Sequence, residues 1–169
     1  MLETQEDLDW LQSLLDRSHA RSGEHLRSII TEGDRTPSAA QVAKYLEGMK
    51  VLVVTTVSAS GRPRSSAVDG HLLRGKFVFT TSGDAVKARD IESRPSVSAA
   101  HVDGERFALF VHGDAEVIGP DHEDRAWIDE HLTSHYGSSP TTWGPSIVFA
   151  RIKPSFAIAY APDARELPG

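Results

Sequence analysis

The sequence predicts a mainly β protein, a closed antiparallel barrel with flanking helices and an N-terminal helical arm. Three observations predict it. Seven short runs rich in β-branched residues follow residue 50, separated by turn signals about every ten residues. Only two helical stretches interrupt them, too few for a doubly wound parallel sheet. The first 48 residues instead space their leucines as a helix does. The 169 residues are 39% hydrophobic, enough for a compact core. The expected division is a helical arm over 1–48, a barrel over 49–162 and a tail over 163–169.

Within residues 5–30, Leu8, Leu11, Leu14 and Leu15 form an apolar stripe beside Trp10, with Glu6, Asp7, Asp9 and Asp16 opposite. Ser22-Gly23 breaks this helix, and Leu26, Ile29 and Ile30 resume the stripe. Thr36-Pro37 reads as an N-cap with proline in the first helical position, opening a helix that runs to about Glu47 and stops at Gly48. From Val51 the runs VLVVTTVS, PRSSAVDGHLL and KFVFTT read as strands, joined by Ala59-Ser60-Gly61-Arg62 and by Arg74-Gly75. SGDAVKARDIES reads as a short helix ending before Pro95. SVSAAHV and RFALFVHGDAEVI pair across Asp103-Gly104, a favoured hairpin dipeptide. Residues 121–136 space Trp127, Ile128 and Leu132 as a helix. SIVFARI and SFAIAYA close the chain as two strands split by Lys153-Pro154.

The longest strongly apolar stretch, residues 51–57, is too short to span a bilayer. The first ten residues, MLETQEDLDW, are acidic where a secretory leader would be basic and then apolar. With no cysteine there is no disulfide, thiolate metal site or cysteine nucleophile. A cytoplasmic location without membrane contact is the expectation. A net charge of −6 argues against nucleic acid as a partner. Charge is unevenly spread: net −4 over residues 1–49, +3 over 50–106 and −5 over 107–169. A basic middle third in an acidic chain suggests an anionic ligand; strands carrying solvated Lys and Arg are an equal alternative. There is no GxGxxG after a strand, no GxxxxGK[ST] and no GxSxG, so Rossmann, P-loop and serine-hydrolase sites lack their residues.

Three clusters in that middle third carry chemistry. Arg62, Arg64, Ser65 and Ser66 start a strand with two guanidiniums and two hydroxyls. Thr80, Thr81 and Ser82 end another strand, and Lys87 and Arg89 lie in the helix that follows at once. A hydroxyl-rich strand end feeding a helix N-terminus suits a phosphate, because free backbone N–H groups and the helix dipole point there. The same residues also read as an ordinary capped helix with two solvated cations.

The ordered set VTTVSASGRPRSSAV, KFVFTTSGDAVKARDI and RPSVSAAHVDGERFALFVHGDAEVI resembles the pyridoxamine 5′-phosphate oxidase-like superfamily over about residues 45–160. The resemblance implies an FMN-binding split barrel, a fold that also serves enzymes of the deazaflavin coenzyme F-420. It implies a homodimer with the cofactor in a groove between subunits, and a small-molecule substrate. It places Arg64, Ser65 and Ser66 along the ring edge and side chain, Thr80, Thr81 and Ser82 on ribityl and phosphate oxygens, and Lys87 and Arg89 on the phosphate. The implied function is a flavin-dependent oxidoreductase, with FMN as cofactor and coenzyme F-420 as the alternative. A non-catalytic flavin- or heme-binding carrier or sensor protein is the rival. No side chain stands out as a general acid or base.

Two features depart from the true pyridoxamine 5′-phosphate oxidases. Five residues after Arg64, where those enzymes carry a phosphate-binding lysine, stands Asp69. The tail reads Arg165-Glu166-Leu167-Pro168, close to but not the substrate-contacting end of those enzymes. Both argue against vitamin B6 oxidation. Of the eight histidines, His131 and His135 share a helical face without an HExxH pattern, so a solvated face is expected there rather than a metal. His71, His101 and His112 fall on strands, as half-exposed residues or as groove-lining groups able to ligate heme.

Overall fold

The structure is a computed structural model that describes residues 2–168. Three helices, α1 (Gln5–Arg21), α2 (Glu24–Ile29) and α3 (Ala39–Tyr45), precede six strands. The strands are β1 (Met49–Val57), β2 (Pro63–Leu73), β3 (Lys76–Ser82), β4 (Ser96–Asp103), β5 (Phe107–Ile118) and β6 (Ile147–Tyr160). Helix α4 (Val86–Ser93) follows β3, and α5 (Arg125–Tyr136) follows β5. All strand pairs are antiparallel and close a barrel in the order β1-β2-β3-β6-β5-β4.

The arm is part of the core. A capping box starts α1: the Asp7 N–H donates to Thr4 Oγ1 at 3.2 Å and the Thr4 N–H to Asp7 Oδ2 at 2.9 Å. Its Leu11, Leu14 and Leu15, with Val42 and Leu46 from the region of α3, share one cluster with Leu52, Phe79 and Ile152 of the barrel. Buried Ser18 ties α1 to β6, its hydroxyl donating to Leu14 O at 2.7 Å and accepting the Ala157 N–H at 3.0 Å. The expected cap of α3 shifts by two residues. Ser38 is the N-cap and forms a box with Gln41, while Thr36 Oγ1 accepts the Gly33 N–H at 2.8 Å and so belongs to the preceding turn.

Six strands stand where seven runs were expected. Lys153-Pro154 does not split β6: Pro154 pairs with Gly113 at a bulge between His112 and Gly113, where a missing N–H is tolerated. A Cβ on Gly113 would lie 2.1 Å from Lys153 O, so only glycine lets the two backbones meet. The expected tight turn at Arg74-Gly75 is present, with positive φ at both residues (50° and 73°).

Two features position the site. Strands β2 and β3 pair only over Gly70–Leu73 and Lys76–Phe79, so the first seven residues of β2 stay with β1 and leave β3. Helix α4 packs against β1 and β5 below that opening. On the other side, Ile128 and Leu132 of α5 cover Leu73, Val78, Ile118 and Phe149 in a second apolar cluster. The tail is ordered against the arm: Gln41 Nε2 donates to Ala164 O at 2.6 Å, and Leu167 packs on the core.

Candidate functional site

An open cavity of about 350 Å³ lies where β2 leaves β3, lined by Thr56, Arg64, Ser65, Ser66, Val86 and Lys87. Four of the eight expected site residues, Arg64, Ser65, Ser66 and Lys87, therefore meet in one place. Thr80, Thr81, Ser82 and Arg89 are not among its lining residues. Thr80 and Thr81 are half-buried where β3 pairs with β6. Ser82 is exposed and turns to the loop before β6, 3.4 Å from Ser146 Oγ. Arg89 is exposed on α4.

Local sequence explains the cavity's character. The Ser58-to-Arg62 turn, with Gly61 at φ 76°, delivers β2 with Arg64 and Ser65 exposed. Ser65 Oγ lies 2.7 Å from Thr55 Oγ1 across the β1–β2 ladder. The N-cap of α4 is Ala85, a residue without a side-chain oxygen, so no side chain caps its first turn. Lys87 and the free end of the helix dipole therefore face the cavity together.

The organising group is Asp90 on α4, which the sequence reading did not single out. It is 4% exposed. Its Oδ1 accepts from Arg94 Nη2 at 3.0 Å, and its Oδ2 from Thr56 Oγ1 at 3.1 Å. Arg64 Nη1 stands 3.5 Å from the same Oδ2. The signal that could have found it is the helical spacing of Asp90 and Arg94, one turn apart on the face carrying buried Ile91.

At the far end of β2 the histidine expectations change. His71 is 1% exposed, not a half-exposed strand residue. His131 is half-buried and His135 exposed, so the solvated face holds at His135, yet both rings also meet His71 edge-on at centroid distances of 6.1 and 4.9 Å. Tyr136 Oη lies 2.9 Å from His71 Nε2, while His71 Nδ1 is buried without a partner. Burial, reinforced by the nearby His135, His131 and Lys50, lowers the His71 pKa to about 4. Among the described residues no group of three or more His, Asp or Glu side chains is placed to hold a metal ion. No helix among them is long and apolar enough to cross a membrane.

The pyridoxamine 5′-phosphate oxidase family model matches residues 38–159, most of the chain and every strand of the barrel but the last residue of β6. The chain belongs to the pyridoxamine 5′-phosphate oxidase family. Its closed six-stranded barrel with flanking helices is the split barrel of that family. No curated protein matches the chain. Among solved structures, a conserved hypothetical protein of Mycobacterium tuberculosis superposes with a TM-score of 0.66 at 17% identity, covering 82% of this chain and 93% of its own. The heme storage protein HutZ of Vibrio cholerae gives 0.61 at 19% identity, covering 72% and 93%. An F-420 reductase gives 0.53 at 23% identity, covering 68% and 93%. At these identities the likenesses show the fold. Membership of the pyridoxamine 5′-phosphate oxidase family supports a flavin-type cofactor, and the cavity's residues fit one. A phosphate needs cations and hydroxyl or N–H donors, which Arg64, Lys87, Ser65, Ser66 and the uncapped turn of α4 provide.

Proposed function

We propose that the protein is a homodimeric, flavin-dependent oxidoreductase that holds FMN at the Arg64–Lys87 cavity and acts on a small organic substrate. The observation that carries this reading is the cavity itself, where two cations, three hydroxyls and an uncapped helix start converge at a gap in the sheet. Bound there, a flavin supplies hydride or electron transfer. The chain's own residues do the rest. Arg64 and Lys87 neutralise the phosphate, Ser65 and Ser66 donate to its oxygens or to the ribityl chain, and Val86 offers an apolar wall.

An uncovered face beside the cavity supports the homodimer. Val51 and Val53 of β1, Val102 of β4 and Phe110 of β5 are 43–55% exposed on the outside of the barrel. Val53 pairs with Ala67 and Thr55 with Ser65, so this face runs into the cavity rim. A second copy seated there would cover apolar surface and complete the wall of the groove. Asp69, on the same edge, stands where a pyridoxamine 5′-phosphate oxidase has a phosphate-binding lysine, which turns the reading away from vitamin B6 as substrate.

The deciding experiment is the absorption spectrum of the purified protein, followed by titration with FMN and with coenzyme F-420. Saturable binding of FMN supports the proposal; preferential binding of the deazaflavin replaces the cofactor. Faster reoxidation of the reduced protein by one organic acceptor than by air supports an enzyme, and equal rates over a broad panel support a carrier. A Soret band would move the reading to heme storage, with half-buried His101 and exposed His112 the first candidates for ligation.

A further inference from the structure

Among the described residues Asp90 is the one acidic side chain that is buried. A carboxylate taken out of water needs a charged partner, and Arg94 meets that need. Arg94 Nη2 reaches Asp90 Oδ1 at 3.0 Å while its Nε donates to Val57 O at 2.8 Å, tying the end of α4 to the end of β1. Arg94 is thus committed to structure. The second arginine is not needed for that balance. Arg64 touches the other oxygen, Oδ2, at 3.5 Å, and its side chain remains 52% exposed above the cavity it lines with Lys87. One carboxylate between two guanidiniums leaves a net positive charge on the cavity side, held by a single long contact. The remaining Arg64 donors stay available to a ligand.

We propose that Asp90 is a positioning residue for anion binding: it fixes the Arg64 guanidinium over the cavity so that a phosphate ester meets an ordered donor. A free arginine side chain loses rotamer freedom when it binds, and one already ordered loses less. Thr56, 1% exposed, assists by donating to the same Oδ2, which keeps the carboxylate turned toward Arg64. The role rests on the flavin reading above, with Arg64 and Lys87 on the same phosphate.

A double-mutant cycle tests it, with FMN and riboflavin affinities measured by quenching of flavin fluorescence in the wild type, Asp90→Asn, Arg64→Ala and the double variant. Loss of a charge-assisted contact predicts about tenfold weaker FMN binding for Arg64→Ala and about fivefold for Asp90→Asn. The double variant should bind FMN no more weakly than Arg64→Ala, because Asp90 acts through Arg64. Riboflavin, which lacks the phosphate, should bind all four proteins alike. Additive losses, or equal losses for riboflavin and FMN, overturn the positioning role while leaving the cofactor reading intact. A wild type that binds no FMN overturns both. Should Asp90→Asn fail to fold, Thr56→Val removes a neutral donor from the same oxygen. It should weaken FMN binding about threefold in the wild type and leave it unchanged in Arg64→Ala; a threefold loss in both backgrounds overturns the role.

Discussion

At the start of β2, Arg64 and Ser65 stand exposed around an open cavity, whereas at its far end His71 is 1% exposed beneath α5. Both ends collect titratable groups, and they handle charge oppositely. The open end keeps its charges, because Asp90 gives Arg64 and Arg94 a counterion and water screens the rest. The closed end suppresses charge, because burial and neighbouring imidazoles favour neutral His71. Binding should therefore depend on the open end and acid stability on the closed one.

The largest effect should come from acid. With the His71 pKa at about 4 in the folded protein and about 6.5 unfolded, the unfolded chain binds the extra proton between those values. Stability is full above about pH 6.5 and falls as the pH drops, by about 3 kcal/mol once pH 4 is passed. Urea midpoints across this window should slope downward in the wild type and flatten in His71→Gln; parallel slopes would remove His71 as the cause. His131, whose pKa burial and His135 also lower, adds a smaller loss of the same sign.

Next in size, Asp90→Ala strands Arg94 beside a buried hole and should cost about 2 kcal/mol in chemical denaturation. A loss below about 0.5 kcal/mol would mean the open end carries no buried charge balance. Tyr136→Phe removes the hydroxyl from His71 Nε2 and should cost about 1 kcal/mol without altering FMN affinity. Altered FMN affinity there would join the two ends that the structure separates. Smallest in stability is Lys87→Ala, within about 0.5 kcal/mol of the wild type. Its FMN affinity should nevertheless drop about tenfold. Unchanged binding in both Lys87→Ala and Arg89→Ala would point to a barrel without a phosphate ligand.

Much of this was legible in one dimension. Alternation in β1, the Arg74-Gly75 turn and the leucine stripe of α1 report local periods that any folded context must respect. The β6 run misled because proline usually ends a strand. Whether it does depends on what lies opposite, and Gly113 is 41 residues away. The cap of α3 misled for a smaller reason, since Thr36 and Ser38 are both good caps and only Ser38 has Gln41 in position to complete the box. Arg64, Ser65, Ser66 and Lys87 stood out as cations and hydroxyls near a helix start. Thr56 and Asp90 did not, because a threonine in a β-branched run and an acid in a helix are ordinary until the fold brings them together.

By itself, the sequence determined the barrel, the helical arm, the family and the basic segment, since each is written in residue period, order or charge along the chain. Tertiary structure alone decided which cations share a cavity, that a buried carboxylate touches one of them, and that His71 of β2 meets His131 and His135 of α5. Those are contacts between residues far apart in the chain, fixed by register and packing.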